Sequence, residues 1–544
     1  MHPLSRTFRA MLLQAVLGSS LTSLAFASDR FPLYWIGPYG QGFRGPAGDV
    51  DGDGMADMLL ASFASIASPS APQNLIVRRG LNGSVLHSWT PSPPSYWTFS
   101  PGVVVSPAGD LNLDGFGDVA LMISSWTSPG IVEVRSGQDA SVLAIIPSPA
   151  VSNTGGIGFG IAGAGDLDGD TWPELLVTGY YQPPGACLGQ AVYVFEAPGF
   201  ALQQFNPPFQ CGQGFGSHLG ALDDVDGDGL RDYYVGASQT NVGFIPDAGW
   251  IGIFSGAGGT LIASMNGNNY YERLGYSVAA LGDVTGDGMP EIAAGRLVPF
   301  EVAVLSLPSF SAVYTVAPGG EVGVLGDADG DGFDDFLVRR GTPQGEAITA
   351  FSGPSGSPIG EVAQDFPGGV LYPWGGLGDV NGDGLGDLVV MPWANGPALP
   401  PLLAQSLWSP WTWPMITYQP TVHVARNLDL VNTPAVGGTA QFEVVAPKRS
   451  GKPFQIAFSQ DFVFPGLPLG PFLFPVAMDS LFWASFSAGI GGTLDATGHG
   501  SLTLPIPNDP ALHGAVVQAS GVVYDAAGPL GIGCVLTQLP VWIQ

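Results

Sequence analysis

The chain has 544 residues and a formal charge of −29, from 45 acidic against 16 basic side chains. A surface so acidic repels nucleic acid and anionic membranes, which argues against both as partners. With 81 glycines, 49 prolines and only two lysines, and with β-branched and aromatic residues set between turn residues, the composition excludes a helical protein and points to an all-β class.

Residues 1–27 read as a secretory signal peptide. Arg6 and Arg9 precede an apolar run over 11–25 without an acidic residue, and Ala25-Phe-Ala27 offers a small-x-small cleavage site after Ala27. The run is too short to span a bilayer, and no later segment is long and apolar enough to do so. The mature chain is expected to be secreted, extracellular or held at the cell surface.

Over residues 28–418 a nine-residue acidic loop recurs, fullest in Asp224-Val-Asp226-Gly-Asp228-Gly229-Leu-Arg-Asp232. Seven copies start at Asp49, Asp110, Asp166, Asp224, Asp283, Asp327 and Asp379, between 44 and 61 residues apart. An apolar strand leads into each, such as Val103-Val-Val-Ser-Pro-Ala-Gly. Another leaves it at once, as in Asp57-Met-Leu-Leu-Ala-Ser. Two more often follow around a turn, as in Trp250-Ile-Gly-Ile-Phe-Ser-Gly and Thr260-Leu-Ile-Ala-Ser-Met. Four strands per repeat, seven times, predict a seven-bladed β-propeller, whose radial closure removes exposed sheet edges. The competing β-solenoid has shorter repeats.

Positions 1, 3, 5 and 9 of every loop carry an oxygen donor. The sets are Asp49, Asp51, Asp53, Asp57; Asp110, Asn112, Asp114, Asp118; Asp166, Asp168, Asp170, Glu174; and Asp224, Asp226, Asp228, Asp232. The remaining three are Asp283, Thr285, Asp287, Glu291; Asp327, Asp329, Asp331, Asp335; and Asp379, Asn381, Asp383, Asp387. Hard oxygens converging on one point, with glycine at position 6 for the sharp turn, suit Ca²⁺, and up to seven ions are expected. Position 7 would add a backbone carbonyl, so its side chain is free to vary. An EF-hand is excluded, because position 12 of the first loop is Leu60 and a strand follows where a helix would be needed. The first, fourth and sixth loops, with four Asp each, are expected to bind best. Thr171 at position 6 of the third and Thr285 at position 3 of the fifth mark those two as weakest. Positions 1, 3, 5 and 9 of the loops hold 25 of the 45 acidic residues, so acidity is concentrated where cations would sit.

Phe215-Gly216, the loop over 224–232 and Val235-Gly236-Ala237-Ser238 together resemble the FG-GAP repeat of integrin α-subunit propellers and of related secreted bacterial proteins, including VCBS-type repeats. Phe159-Gly160 and Leu274-Gly275-Tyr276 resemble the first half of that motif. The resemblance implies that each acidic loop joins the first two strands of a blade and holds Ca²⁺ on one face. By analogy it implies a cell-adhesion or binding scaffold.

Residues 419–544 carry no acidic loop. Short strand patterns such as Thr439-Ala-Gln-Phe-Glu-Val-Val and Gly500-Ser-Leu-Thr-Leu-Pro-Ile predict a β-sandwich. Pro505-Ile-Pro507, Leu512 and the 516–525 pattern resemble a tail module of secreted bacterial propeller proteins, which names no function. Cys187 and Cys211 lie within one repeat and either pair in an oxidising compartment or stay as buried thiols; Cys534 is left over.

Three functions compete. A non-catalytic scaffold for an extracellular protein or glycan is favoured, because seven blades present a broad rigid face with variable loops. A lectin is second, with Tyr96-Trp97, Tyr270-Tyr271 and the Trp408, Trp411, Trp413 cluster as sugar-stacking candidates. A polysaccharide lyase is third. It needs cations and a base, whereas His87, His218, His423, His499 and His513 are isolated in sequence and no nucleophile elbow, His-Glu-x-x-His or phosphate loop appears. No catalytic residue is assigned.

Overall fold

The structure, a computed structural model, describes residues 26–27, 33–36, 41–62, 74–90, 103–123, 130–147, 157–181, 189–206, 214–342, 345–363, 369–394, 421–423, 425–460, 462–469 and 472–544. It is all-β apart from one helix and three short 3₁₀ turns among these residues.

Seven antiparallel blades form the ring, five as separate four-stranded sheets and the sixth and seventh joined in one sheet by a parallel bridge between Gly345 and Gly369. Blade one runs Gln41–Gly48, Asp57–Ser62, Leu75–Arg78 and Val85–Trp89; blade four runs Phe215–Leu222, Asp232–Ala237, Trp250–Phe254 and Leu261–Asn266. The other blades repeat the pattern, each acidic loop joining a first strand to a second. The seven first strands pack in sequence around the ring, and that of blade seven, Gly369–Gly378, returns to that of blade one. The ring is closed.

Strand alternation explains the closure. Along the second strand of blade two, Val119 and Leu121 face blade one while Ala120 and Met122 face blade three. In blade three, Leu175 and Val177 face back and Leu176 faces forward. A period of two thus sends successive side chains to opposite neighbours, and a separate apolar core fills each of the seven gaps between blades. Both faces of every blade are covered, so the middle strands read as continuous apolar runs.

Blade seven draws on both ends of the chain. Its third strand is Thr421–His423, and its outermost is Leu33–Ile36, antiparallel to it through Trp35 and Val422. The ring therefore reaches past the boundary at residue 418 expected from the sequence. Of the expected signal peptide, residues 1–25 lie outside the described residues; Phe26 and Ala27 pair with Ala363 and Val362 on the outer edge of blade six. Blade six has four strands without that pair.

Residues 425–544 form two sheets. Leu428–Leu430, Thr439–Val445 and His499–Pro505 face Gly491–Thr493, Pro453–Ser459, Val516–Tyr524 and Ile532–Trp542 across a core of Phe442, Val444, Phe454, Ile456, Leu536 and Leu539. A hairpin, Phe462–Leu469 with Phe472–Val476, and the helix Ser480–Ser487 were not foreseen. Asp479 caps the helix by accepting the Phe482 N–H at 2.8 Å, and Phe482 is buried beneath it. Met55 and Leu81 of blade one join the apolar cluster under this hairpin and helix. The sandwich is thus seated on the end of the ring that carries the acidic loops.

Candidate metal-binding loops

Each loop is shaped first by its own carboxylates. Asp224 at position 1 accepts the N–H of Gly227 at 2.6 Å and of Gly229 at 2.8 Å. Position 5 accepts the N–H of position 7 in every loop, as Asp228 does from Leu230 at 2.9 Å. In every loop position 1 also accepts the N–H of position 6, so the nine residues curl around that first carboxylate.

Position 9 does more than offer a ligand. All seven of these carboxylates are fully buried, and each accepts the N–H of position 2: Val50, Leu111, Leu167, Val225, Val284, Ala328 and Val380. In five loops the other oxygen accepts an N–H beyond the third strand, from Gly80, Gly137, Gly256, Gly353 or Ala425. A Cβ at Gly256 would stand 2.0 Å from the Arg231 carbonyl, so glycine is required there. The recurring Ser-Gly at 136–137, 255–256 and 352–353 was the sequence signal for this latch, and sequence reasoning passed over it. Loops three and five differ together. Position 9 is Glu, position 8 is Pro173 or Pro290, and the third strand ends at Ala197-Pro198 or Leu307-Pro308, where Ala197 and Leu307 donate to the two proline carbonyls at 3.3 Å.

Burial sets the electrostatics. It pushes the carboxyl of Asp57 up to about 8, those of Glu174 and Asp335 to about 7 and that of Asp118 to about 6, with nearby loop carboxylates adding to the shift and the backbone donors opposing it. Asp53 is raised to about 6, again first by burial and then by Asp51. Carboxylates crowded in this way favour a cation among them.

Two oxygens on one Ca²⁺, each 2.3–2.6 Å from it, lie at most about 5 Å apart. Among the described residues, four groups of three acidic side chains bring oxygens within 4.8 Å of one another: Asp49, Asp51, Asp53; Asp166, Asp168, Asp170; Asp224, Asp226, Asp232; and Asp327, Asp329, Asp335. These clusters could hold metal ions. Asp51 Oδ1 and Glu174 Oε1 are also buried without a hydrogen-bond partner, as an oxygen waiting for a cation would be. The third loop is one of the four, with Thr171 at φ +83°.

The remaining loops depart from this pattern. In loop two Asn112 turns its amide N–H onto Asp114 at 2.9 Å. In loop five Thr285 Oγ1 lies 3.3 Å from Glu291 Oε1. Loop one, although clustered, has the Arg79 guanidinium against it, with Nε 2.8 Å from Asp51 Oδ2 and 3.5 Å from Asp53 Oδ2. Loop seven is covered by the sandwich: Lys448 Nζ lies 3.0 Å from Asp379 Oδ2 and Asn427 Nδ2 donates to Asp383 Oδ2 at 2.7 Å. No loop spacing announces these basic partners.

On the opposite face, the loops 238–249 and 267–276 are tied together. Tyr271 donates its N–H to the Pro246 carbonyl, Arg273 donates to the Asp247 carbonyl, and the Arg273 guanidinium pairs with Asp247 at 2.9 Å. Asp247, Tyr271 and Arg273 all hold positive φ. Phe244 is 99% exposed, Tyr270 61% and Tyr271 57%. Tyr96, Trp97, the tryptophans at 408, 411 and 413, Cys187 and Cys211 lie outside the described residues. Cys534 is a buried free thiol.

No family model matches the chain. It is 30% identical to human integrin alpha-7 over 170 residues, 30% of this chain and 14% of that one. Rat integrin alpha-7 is 29% identical over 238 residues, 39% of this chain and 20% of that one, and Drosophila integrin alpha-PS2 26% over 221, 36% and 15%. Over part of its length the chain is thus similar in sequence to integrin α-subunits. These matches span no more than a fifth of the relatives' own length. Among solved structures, the Dos1 propeller aligns with a TM-score of 0.39 at 8% identity, over 68% of this chain and 76% of that one. No helix among the described residues is long and apolar enough to cross a membrane.

The Phe-Gly pair has a physical role in the ring. Phe215 stacks on Trp250 at 5.9 Å and meets Phe254 edge-on at 6.4 Å. Gly216, at φ +78°, lies so close to blade three that a Cβ would stand 2.2 Å from Thr178 Cγ2. The motif locks one blade against the previous one.

Proposed function

We propose that this is a secreted, non-catalytic scaffold of the integrin-α-like, bacterial type, whose acidic loops hold Ca²⁺ and whose opposite face binds an extracellular protein or glycan. In the fourth loop Asp224, Asp226, Asp228 and Asp232 with the Leu230 carbonyl would hold the ion, and the third and sixth loops offer comparable sets. Bound there, Ca²⁺ supplies the positive charge that the crowded carboxylates lack. The observation that carries the binding face is the tied pair of loops over 238–249 and 267–276. It presents Phe244, Tyr270 and Tyr271 to solvent at the end of the ring remote from the sandwich, and exposed aromatics on a rigid support are the residues binding surfaces use. Tyr270 and Tyr271 also keep a glycan in view, since flat rings suit sugar stacking.

The test is a glycan array and a capture experiment from extracellular material with the full chain in Ca²⁺, repeated with Phe244→Ser and Tyr271→Ser. Retained folding with binding reduced at least tenfold supports this face; unchanged binding in both variants rejects it.

A further inference from the structure

The seventh acidic loop does not fit the ion that the third, fourth and sixth loops suit. At the fourth loop Asp226 and Asp228 are exposed, whereas at the seventh Asn381, Asp383 and Asp387 are all buried. A Cβ at Gly229 would meet nothing within 4 Å, but one at Gly384 would stand 2.8 Å from the Lys448 backbone nitrogen. One at Gly382 would stand 3.0 Å from the Arg449 guanidinium and from the Gly533 carbonyl. The sandwich fills the space that ligating water would take around a Ca²⁺.

What fills it is chemically specific. Lys448 and Lys452 are the only lysines in the sequence, and both lie on the turn that faces this loop. Lys448 Nζ is 3.0 Å from Asp379 Oδ2 and 3.4 Å from the Gly54 carbonyl of blade one. Arg449 Nε donates to the Gly382 carbonyl at 2.8 Å, and Asp525 holds both Arg449 and Lys452 in place at 3.2 and 3.0 Å. Asn427 is fully used. Its amide nitrogen donates to Asp383 at 2.7 Å and to the Val535 carbonyl at 3.2 Å, while its oxygen accepts from Thr537 at 2.6 Å. Two residues earlier, Ala425 gives its N–H to Asp387 at 2.7 Å, the role glycine plays elsewhere in the ring.

We infer that the seventh loop is an intramolecular docking socket in which the Lys448 ammonium stands in for the metal, so that this loop seats the C-terminal sandwich and takes up no Ca²⁺. The exclusion rests on the reading that the other loops hold Ca²⁺; the docking does not. A sequence pattern shared by seven loops would then serve two ends, ion binding around most of the ring and domain attachment at one blade.

Amine labelling reads this directly, because the full chain holds two lysines and each serves as the other's reference. In the metal-free chain, Asp379→Asn is expected to raise the labelling rate of Lys448 several-fold while Lys452 keeps its rate; an unchanged ratio overturns the docking. Should that variant fail to fold, Lys448→Met is the companion: amide exchange over 379–387 is expected to quicken at least threefold, and unchanged exchange overturns the docking. With 5 mM Ca²⁺ added to the wild type, Lys448 labelling is expected to stay constant; a rise means that the ion displaces it and overturns the exclusion. Equilibrium dialysis with Ca²⁺ separates the two readings. Asp228→Asn is expected to lower the bound count and Asp379→Asn to leave it unchanged, and a drop with Asp379→Asn overturns the exclusion. A chain that binds no Ca²⁺ defeats the scaffold's ion reading, while the metal-free labelling still decides the docking.

Discussion

Val225 donates its backbone N–H to Asp232 Oδ2 at 2.7 Å, and the other oxygen of the same carboxylate accepts from Gly256 at 3.1 Å. One buried side chain thus joins the start of its loop to the turn beyond the third strand. Asp232→Asn puts an amide donor against one of those N–H groups and is expected to destabilise the metal-free chain by about 2–3 kcal/mol. Asp228→Asn, exposed and keeping its bond to Leu230, is expected to change metal-free stability by less than about 0.5 kcal/mol while weakening Ca²⁺ binding. Urea denaturation in chelator, beside a Ca²⁺ titration, separates the two roles. Equal losses in both variants refute the distinction.

Removal of divalent ions should soften the whole ring. At free Ca²⁺ ten times Kd, each occupied loop adds about 1.4 kcal/mol by linkage, and three or more occupied loops approach the stability of an ordinary domain, about 5–15 kcal/mol. Excess EDTA is expected to lower the melting temperature by many degrees and Ca²⁺ to restore it. A melt indifferent to both defeats the ion reading.

Thr171 occupies a backbone conformation that suits glycine, at φ +83° where the other six loops have Gly. A branched side chain held there costs about 1–3 kcal/mol, so Thr171→Gly is expected to stabilise the chain by about 1 kcal/mol after the added freedom of the unfolded state is counted. Chemical denaturation of the two forms measures it. A less stable variant shows that the Thr171 side chain has a compensating partner.

Cys534 lies inside the sandwich, and burial pushes its thiol well above the usual range, with Asp383 of the docked loop adding to the shift. The thiolate is the reactive form. Cys534 is therefore expected to resist iodoacetamide at pH 8 in the native chain and to react fully in denaturant, read on its own peptide by mass spectrometry. Native labelling within minutes shows that the two sheets open.

The repeat was legible because seven loops with the same internal spacing can be counted without knowing any contact, and strand alternation then carried the fold. Asp57 and Asp387 were legible as oxygen donors but not as latches, since spacing cannot reveal that Gly80 or Ala425 lies opposite. Lys448 stands 69 residues beyond Asp379, with nothing local to join them. The helix over Ser480–Ser487 went unread because eight residues of mixed aromatic and small side chains show no clear period.

Leu33–Ile36 and Thr421–His423 complete one sheet from opposite ends of the ring's sequence. During synthesis the earlier segment must wait, unsatisfied along its edge, until nearly four hundred further residues have emerged. Such a long-delayed partnership is slow to form and prone to mispairing, so a half-made molecule is the form most in need of a chaperone, and severing the chain between Ile36 and Gln41 would cut the covalent link between the outer strand of blade seven and blade one.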